Sequence, residues 1–454
     1  MPTMPRRAGS TLLPVMNPGP PPPGRPLLIR GGYLLTMDPQ TGDVPDGDLL
    51  VTGGRIEAVG TGLSAPPGAE VLDAAGMIVA PGLVDTHWHM WNTLLRSMSG
   101  DGGYFRLSTG LGRAFRPGDL YLGTLLACAE AISSGITTVH DWCHNMRSPA
   151  HAEAGLRAHA EAGLRVRYSC GCPAGHPPGE PMDLATLRAL HRDTGSGGGL
   201  LSLGLAWRGP GGQGSPLPAV PEEVWRTEIG VARELGLPVT VHISGPRAAG
   251  GQVAMLAKAG LLGPDLQVVH ANSVTEAEIG LLAEAGTSVS VSPFSELLVG
   301  YGLPRTDEFL AAGLPVGLSV DTTALTGNAD MFAIMKVTQA IANGRAEDEF
   351  ALTARQVLAL ATIDGARSLG LAGQTGSLTP GKRADLILVA TGEPNLCVFT
   401  DPVHMLVCAA QPANVDTVLV DGRVLKREGR LTTLDTERIR AGAGAALAAL
   451  RARG

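Results

Sequence analysis

Pro81-Gly82-Leu83-Val84-Asp85-Thr86-His87-Trp88-His89 is the stretch whose reading decides the fold of this chain. The apolar, partly β-branched run Met77-Ile78-Val79-Ala80 leads into it and reads as a buried strand. Side chains alternate along a strand, so His87 and His89 point the same way. Two imidazoles side by side where an apolar strand runs out form a metal-ligand arrangement.

Downstream, strand-like runs alternate with helix-like ones, the pattern of βα units around a parallel sheet. Strands are predicted over 77–87, 136–141, 164–170, 200–206, 238–243, 266–271, 287–292 and 315–321. Helices are predicted between them, for example over 118–134, 221–236, 251–262 and 274–286, several ending in glycine. Eight such units fit an α/β fold of the (β/α)₈ TIM-barrel type, whose active sites lie at the C-terminal ends of the strands. His87 and His89 close the first strand, His242 closes 238–243, His270 closes 266–271 and Asp321 closes 315–321. Four histidines and an aspartate at one rim make a metal site. Three imidazoles and a carboxylate with one open position suit catalytic Zn²⁺, and Fe²⁺ or Mn²⁺ accept the same ligands.

Both flanks of the barrel region carry short apolar runs separated by turn signals. Examples are Leu28-Ile29-Arg30-Gly31-Gly32 and Arg55-Ile56-Glu57-Ala58-Val59-Gly60 on one side, and Asp385-Leu386-Ile387-Leu388-Val389 and Val415–Gly422 on the other. The expected organisation is a Pro-rich mobile lead-in over 1–26, a small β-domain from 27–76 and 373–431, the barrel over 77–372, and a helix over 432–454.

The motif resembles the first barrel strand of the amidohydrolase superfamily, PG-(hydrophobic)-(hydrophobic)-D-x-H-x-H. The likeness runs from about Leu28 to about Leu431 and is closest to the branch of cytosine, guanine and s-triazine aminohydrolases. Gly376-Ser377-Leu378-Thr379-Pro380-Gly381-Lys382-Arg383-Ala384-Asp385-Leu386 resembles the C-terminal signature of that superfamily, in which both chain ends pair into one β-sandwich. The resemblance implies His87, His89, His242 and Asp321 as ligands, with Asp321 also taking a proton from water. It gives His270 the task of orienting water or polarising substrate. Binuclear members carry a carboxylated lysine at the end of strand 4. Here that strand runs Leu200–Arg208 and none of the lysines (Lys258, Lys336, Lys382, Lys426) ends a strand, so one metal per chain is expected.

One departure stands out. The branch usually has a glutamate three positions after the strand-5 histidine, where it passes a proton to the leaving nitrogen, and here that position is Gly245. A positioned general acid is worth about 10²–10⁴-fold in rate. Glu296, Asp141 and His144 lie after strands 7 and 2 on the same rim and are the candidate replacements; the alternative for each is a loop residue facing solvent or capping a helix. Trp88, Trp91, Asn92, Trp142, Trp207 and Arg208 are candidates to line a pocket for a flat, partly apolar substrate, or else are barrel packing.

The expected function is therefore hydrolysis of a C–N bond in a small cyclic or heteroaromatic substrate. A metal-dependent lyase, dehydratase or cyclase is the alternative that Gly245 raises. The net charge of −7 and the absence of a Lys/Arg cluster argue against nucleic acid. No run approaches the roughly 18 apolar residues of a membrane span. Six cysteines in 454 residues do not make a disulfide framework, which suits a cytoplasmic protein. The resemblance implies a homodimer.

Overall fold

Gly82 marks the point where the chain leaves one sheet and enters another in the computed structural model, which describes residues 25–194, 199–210, 219–245 and 250–454. Most of the expected lead-in lies outside the described residues. The single strand expected over 77–87 is two strands, Met77–Pro81 and Leu83–Trp88. A Cβ on Gly82 would sit 2.0 Å from Thr137 Oγ1, so only glycine lets the chain turn this tightly against the next strand.

The first sheet has nine strands: β1 (Leu27–Leu34), β2 (Val44–Thr52), β3 (Arg55–Gly60), β4 (Glu70–Asp73), β5 (Met77–Pro81), β14 (Leu386–Ala390), β15 (Val415–Val420), β16 (Arg423–Arg427) and β17 (Arg430–Leu431). Its order is β17-β16-β15-β14-β5-β1-β2-β3, with β4 also on β1. The two chain ends meet where β14 pairs antiparallel with β5, from Leu386↔Pro81 to Ala390↔Met77. Leu27, Ile29, Leu49, Val51, Val79 and Leu386 are among the residues of its own small core.

The second sheet is all parallel and comprises β6 (Leu83–Trp88), β7 (Ile136–Cys143), β8 (Arg165–Gly171), β9 (Leu201–Trp207), β10 (Val239–Ile243), β11 (Leu266–His270), β12 (Ser288–Val291) and β13 (Val316–Leu318). Helices such as Pro117–Ser133, Pro149–Ala162, Glu222–Glu234 and Glu276–Ala285 follow the strands and cover the outside. The barrel closes between β6 and the end of β13. There Asp321 N donates to His87 O at 2.9 Å and His89 N donates to Asp321 O at 2.6 Å. Asp85 of the opening motif staples the same seam, accepting from His87 N at 3.0 Å and Val320 N at 3.3 Å. The helix Thr436–Arg453, capped by Asp435, lays Ile439, Ala443 and Leu450 inward on Pro117–Ser133.

A buried ion pair joins the two sheets. Arg165 at the start of β8 donates from Nε to Asp385 Oδ2 at 2.6 Å and from Nη2 to Oδ1 at 3.1 Å, and Asp421 N donates to Asp385 Oδ1 at 2.7 Å. Removing one member of a buried pair leaves the other charge uncompensated, which costs about 3–5 kcal/mol. Asp385→Ala leaves Arg165 only the longer contact with Asp421 at 3.6 Å and is therefore expected to lower the unfolding free energy by up to about that amount in denaturant titration. A loss below about 1 kcal/mol contradicts the assignment of the pair as the clamp between the sheets.

Candidate active site

The ends of β6 and β10 and the β13 seam bring one ligand atom each from His87, His89, His242 and Asp321 to within 4.8 Å of one another. His87 Nε2 lies 3.2 Å from His242 Nε2 and 3.2 Å from Asp321 Oδ1. His89 Nδ1 donates to Trp142 O at 2.9 Å, so its Nε2 carries the lone pair, and that nitrogen faces Asp321 Oδ1 at 3.4 Å. Two acceptors face each other in a buried site, an arrangement that repels unless a cation lies between them. Burial, reinforced by neighbouring imidazoles, holds His87, His89 and His242 well below the usual histidine pKa, in the neutral form that binds metal. The donor set fits a divalent ion, and no lysine is near it: Lys382 bonds Ser377 Oγ and Lys426 bonds Ser133 O, both in or beside the small sheet.

His270 and Asp321 hold left-handed backbone, with φ of 68° and 62°. Non-glycine residues reach this region at a cost and cluster at functional sites. His270 Nδ1 is 3.3 Å from Glu296 Oε1. Both Glu296 oxygens are committed, Oε1 also to Ser292 N at 2.7 Å and Oε2 to Asn272 Nδ2 at 3.2 Å. Burial works against the imidazolium of His270, yet the Glu296 hydrogen bond and the charges of Asp321 and Glu296 outweigh it and raise the pKa.

A pocket opens onto this group, lined by His89, His242, His270 and Asp321 and by side chains from several loops. Of the expected pocket residues, Trp142, Trp207 and Arg208 line it. The other three do not. Trp88 sits between the two histidines and points the opposite way, as strand alternation requires, and is fully buried. Trp91 lies beneath the pocket, its Nε1 donating to His144 Nδ1 at 3.5 Å. Asn92 is buried against the seam, accepting from Thr322 Oγ1 at 3.0 Å and donating to the Tyr104 hydroxyl at 3.3 Å. Arg208 is held by Glu228 at 2.6 Å and by the Glu180 carbonyl at 2.7 Å, and so clamps a loop at the pocket wall.

The candidate acids separate in the same way. His144 faces the pocket, its ring centroid 4.4 Å from that of His89. Asp141, one face away on β7, points out of the barrel and bonds His159 Nε2 at 2.8 Å on the helix Pro149–Ala162. It is a wall residue, and the expectation of a rim acid at Asp141 is corrected by the pleat. Glu296 is fully buried behind His270 and does not line the pocket, so it addresses His270 rather than a leaving group.

Tyr301 lines the pocket and was missed from sequence. Its ring centroid is 5.6 Å from that of His270, its hydroxyl is hydrogen-bonded by Ser244 next to Gly245, and burial pushes its pKa up to about 12. The only local signal for it is an aromatic residue shortly after the Glu296 helix Pro293–Val299. Tyr104, on a helix (Tyr104–Gly112) that borders the pocket, was likewise not singled out as a lining residue.

Residues 78–425 match the Amidohydrolase family. The chain is 32% identical over 433 residues to a 5-methylthioadenosine/S-adenosylhomocysteine deaminase of Pelotomaculum thermopropionicum, covering 91% of this chain and 96% of the relative. It is 31% identical over 431 residues to a 5'-deoxyadenosine deaminase of Methanosarcina mazei, covering 91% and 95%. Among solved structures, an adenosine deaminase from Xanthomonas campestris with bound zinc superposes with a TM-score of 0.82 at 25% identity, covering 95% of this chain and 100% of that one. An atrazine chlorohydrolase from Arthrobacter aurescens complexed with zinc shares the fold, with a TM-score of 0.80 at 24% identity over 93% of this chain and 100% of that one. No described helix is long and apolar enough to cross a membrane. With a His/Asp group placed to hold a metal at the barrel rim, the chain belongs to the amidohydrolase family and is a hydrolase acting on carbon–nitrogen bonds.

Proposed function

We propose that this enzyme is a mononuclear zinc-dependent aminohydrolase that releases ammonia from a heteroaromatic amine, with adenine nucleosides altered at the 5' position as the first substrate class to test. The observation that carries the reading is the convergence of His87, His89, His242 and Asp321 at the floor of an aromatic-lined pocket. The deaminases that the chain resembles over nine-tenths of its length support the substrate class.

His87, His89, His242 and Asp321 would hold the ion. When bound, such an ion supplies Lewis-acid activation of water, whose pKa falls from about 15.7 towards about 7. Asp321 takes the proton released as water adds to the ring carbon bearing the amine. His270, with Nδ1 tied to Glu296, presents Nε2 to the water or to a ring nitrogen. Glu296 is a positioning residue. The C–N bond then breaks as the amine nitrogen gains a proton and leaves as ammonia. With no side chain at position 245, Tyr301 is the proton donor beside His270, and the Ser244 hydroxyl supports the phenolate until the proton taken by Asp321 returns to it. His144, whose Nδ1 accepts from Trp91, offers Nε2–H as a second hydrogen bond to the substrate.

His242→Ala is expected to abolish ammonia release and to reduce bound metal, measured by elemental mass spectrometry on protein purified without chelator; retention of both sinks the proposal. In ¹⁸O-labelled water the product is expected to carry one label. Turnover without label favours the lyase or cyclase reading that Gly245 raises.

The proton donor has its own test. Tyr301→Phe is expected to lower kcat by about 10²–10⁴-fold with little change in KM. Glu296→Gln, acting through His270, is expected to cost about 10–100-fold, as loss of a supporting carboxylate typically does. Asp141→Asn is expected to keep kcat within about tenfold and to lose stability instead, since its role is the His159 bond. A Tyr301→Phe enzyme within about tenfold of wild type contradicts the donor assignment.

A further inference from the structure

The barrel has a second cavity, at the end opposite the catalytic rim. It is bounded by the starts of β10 to β13, by Pro264 and Pro315, and by the segment Arg367–Gly370 that runs beneath them. Its volume is about 420 Å³. It reaches inward to His140, whose ring centroid is 6.5 Å from that of His87. A water occupies about 30 Å³ in the liquid, so the space admits a small polyatomic ion with several waters.

Most barrel interiors are filled with branched apolar side chains. Here the inward positions of β7 to β12 include His140, Arg167, Ser169, Thr240, Gln267 and Ser288. Arg167 is the unusual one. Its Nη2 donates to the Leu369 carbonyl, its Nε has no hydrogen-bond partner, and it forms no ion pair among the described residues. Thr240 Oγ1 likewise lacks a partner, and the Gln267 amide, beside His140, makes no other contact of hydrogen-bond geometry. The other charges at the cavity are spoken for. Asp265 is paired with Arg233 at 2.7 Å, and Arg367 with Asp364. His140 donates from Nδ1 to the Thr86 carbonyl at 3.0 Å, which leaves its Nε2 to accept from Ser169 Oγ at 2.7 Å.

We propose that this floor cavity is a binding site for a small oxyanion, phosphate or carboxylate, held by the Arg167 guanidinium with Thr240 and Gln267 as neutral donors. Arg167 is half-buried at the cavity wall and the structure places no acid against it, so an anion entering the cavity meets an unopposed charge. Burial, with nothing to offset it, pushes the Arg167 pKa down to about 10, which still leaves it charged at neutral pH. The planar fork of an arginine matches two oxygens of one oxyanion, and Arg167 lines the cavity with only its Nη2 engaged, by the Leu369 carbonyl. The site is independent of the reaction assigned to the other end of the barrel.

The test is thermal unfolding of the metal-loaded enzyme at constant ionic strength, titrated with inorganic phosphate, with acetate and with chloride. A ligand that binds only the folded state raises Tm with its concentration, and near 100 times its dissociation constant the shift is expected to exceed about 2 °C. Phosphate or acetate is expected to give that shift in wild type, to give little or none in Arg167→Met, and to act at higher concentration in Thr240→Val. The stronger of the two identifies the source of the oxyanion. Phosphate bound at the rim metal would stabilise wild type and Arg167→Met equally, so an equal shift overturns the proposal. The absence of any shift beyond that of chloride also overturns it, leaving a cavity filled by water. Should Arg167→Met fail to fold, Thr240→Val and Gln267→Met carry the comparison, and unchanged half-saturation in both overturns the proposal.

Discussion

The seam between the first and last barrel strands is the constraint on which the rest of the site depends. Its two backbone hydrogen bonds are made by His87, His89 and Asp321, the same residues whose side chains converge as ligands. Closing the barrel and assembling the metal site are therefore one event. Asp85 reinforces both by accepting from His87 N and Val320 N across the seam. The left-handed backbone at Asp321 follows from this geometry: the chain leaves β13 at Leu318, and Asp321 must both bridge to β6 and turn its carboxylate inward. Strain at such a residue persists only where the surroundings hold it from several sides.

On the proposed reading, the glycine at position 245 moves proton handling to other groups around that seam. A glycine cannot hold a proton, and the two carboxylates expected to replace the glutamate, Asp141 and Glu296, are both turned to other partners. Among the proton-bearing groups that line the pocket are Tyr301, supported by Ser244, and His144, supported by Trp91. Glu296 still contributes, but through the orientation of His270. On the proposed reading the metal-binding group stays at the barrel rim and the acid comes from a different loop. The same barrel carries a second polar cavity at its other end, with His140 between the two.

Much of this was legible in the sequence because it rests on short-range regularities. The eight strands, the rim positions of the four histidines and Asp321, and the pairing of the two chain ends follow from apolar periodicity, turn signals and the resemblance. Other features were hidden by the direction in which a side chain leaves its strand. Trp88 and Asp141 were read by their place in a motif, and the pleat turns both away from the pocket. The break at Gly82 was not read because the apolar run carries on through Leu83 and Val84, and the close approach of Thr137 that divides it is a contact between residues far apart in the chain. Tyr301 was unreadable because its role depends on a loop folding back over the β10 end, a contact made between residues 57 positions apart, Ser244 and Tyr301.

X-ray absorption at the metal edge of the purified enzyme tests the central claim most directly. Three imidazoles and a carboxylate holding one ion predict a single first shell of nitrogen and oxygen at about 2.0–2.2 Å with imidazole outer-shell scattering. A sulfur scatterer at about 2.3 Å, or a second metal at about 3.5–4 Å, would contradict it.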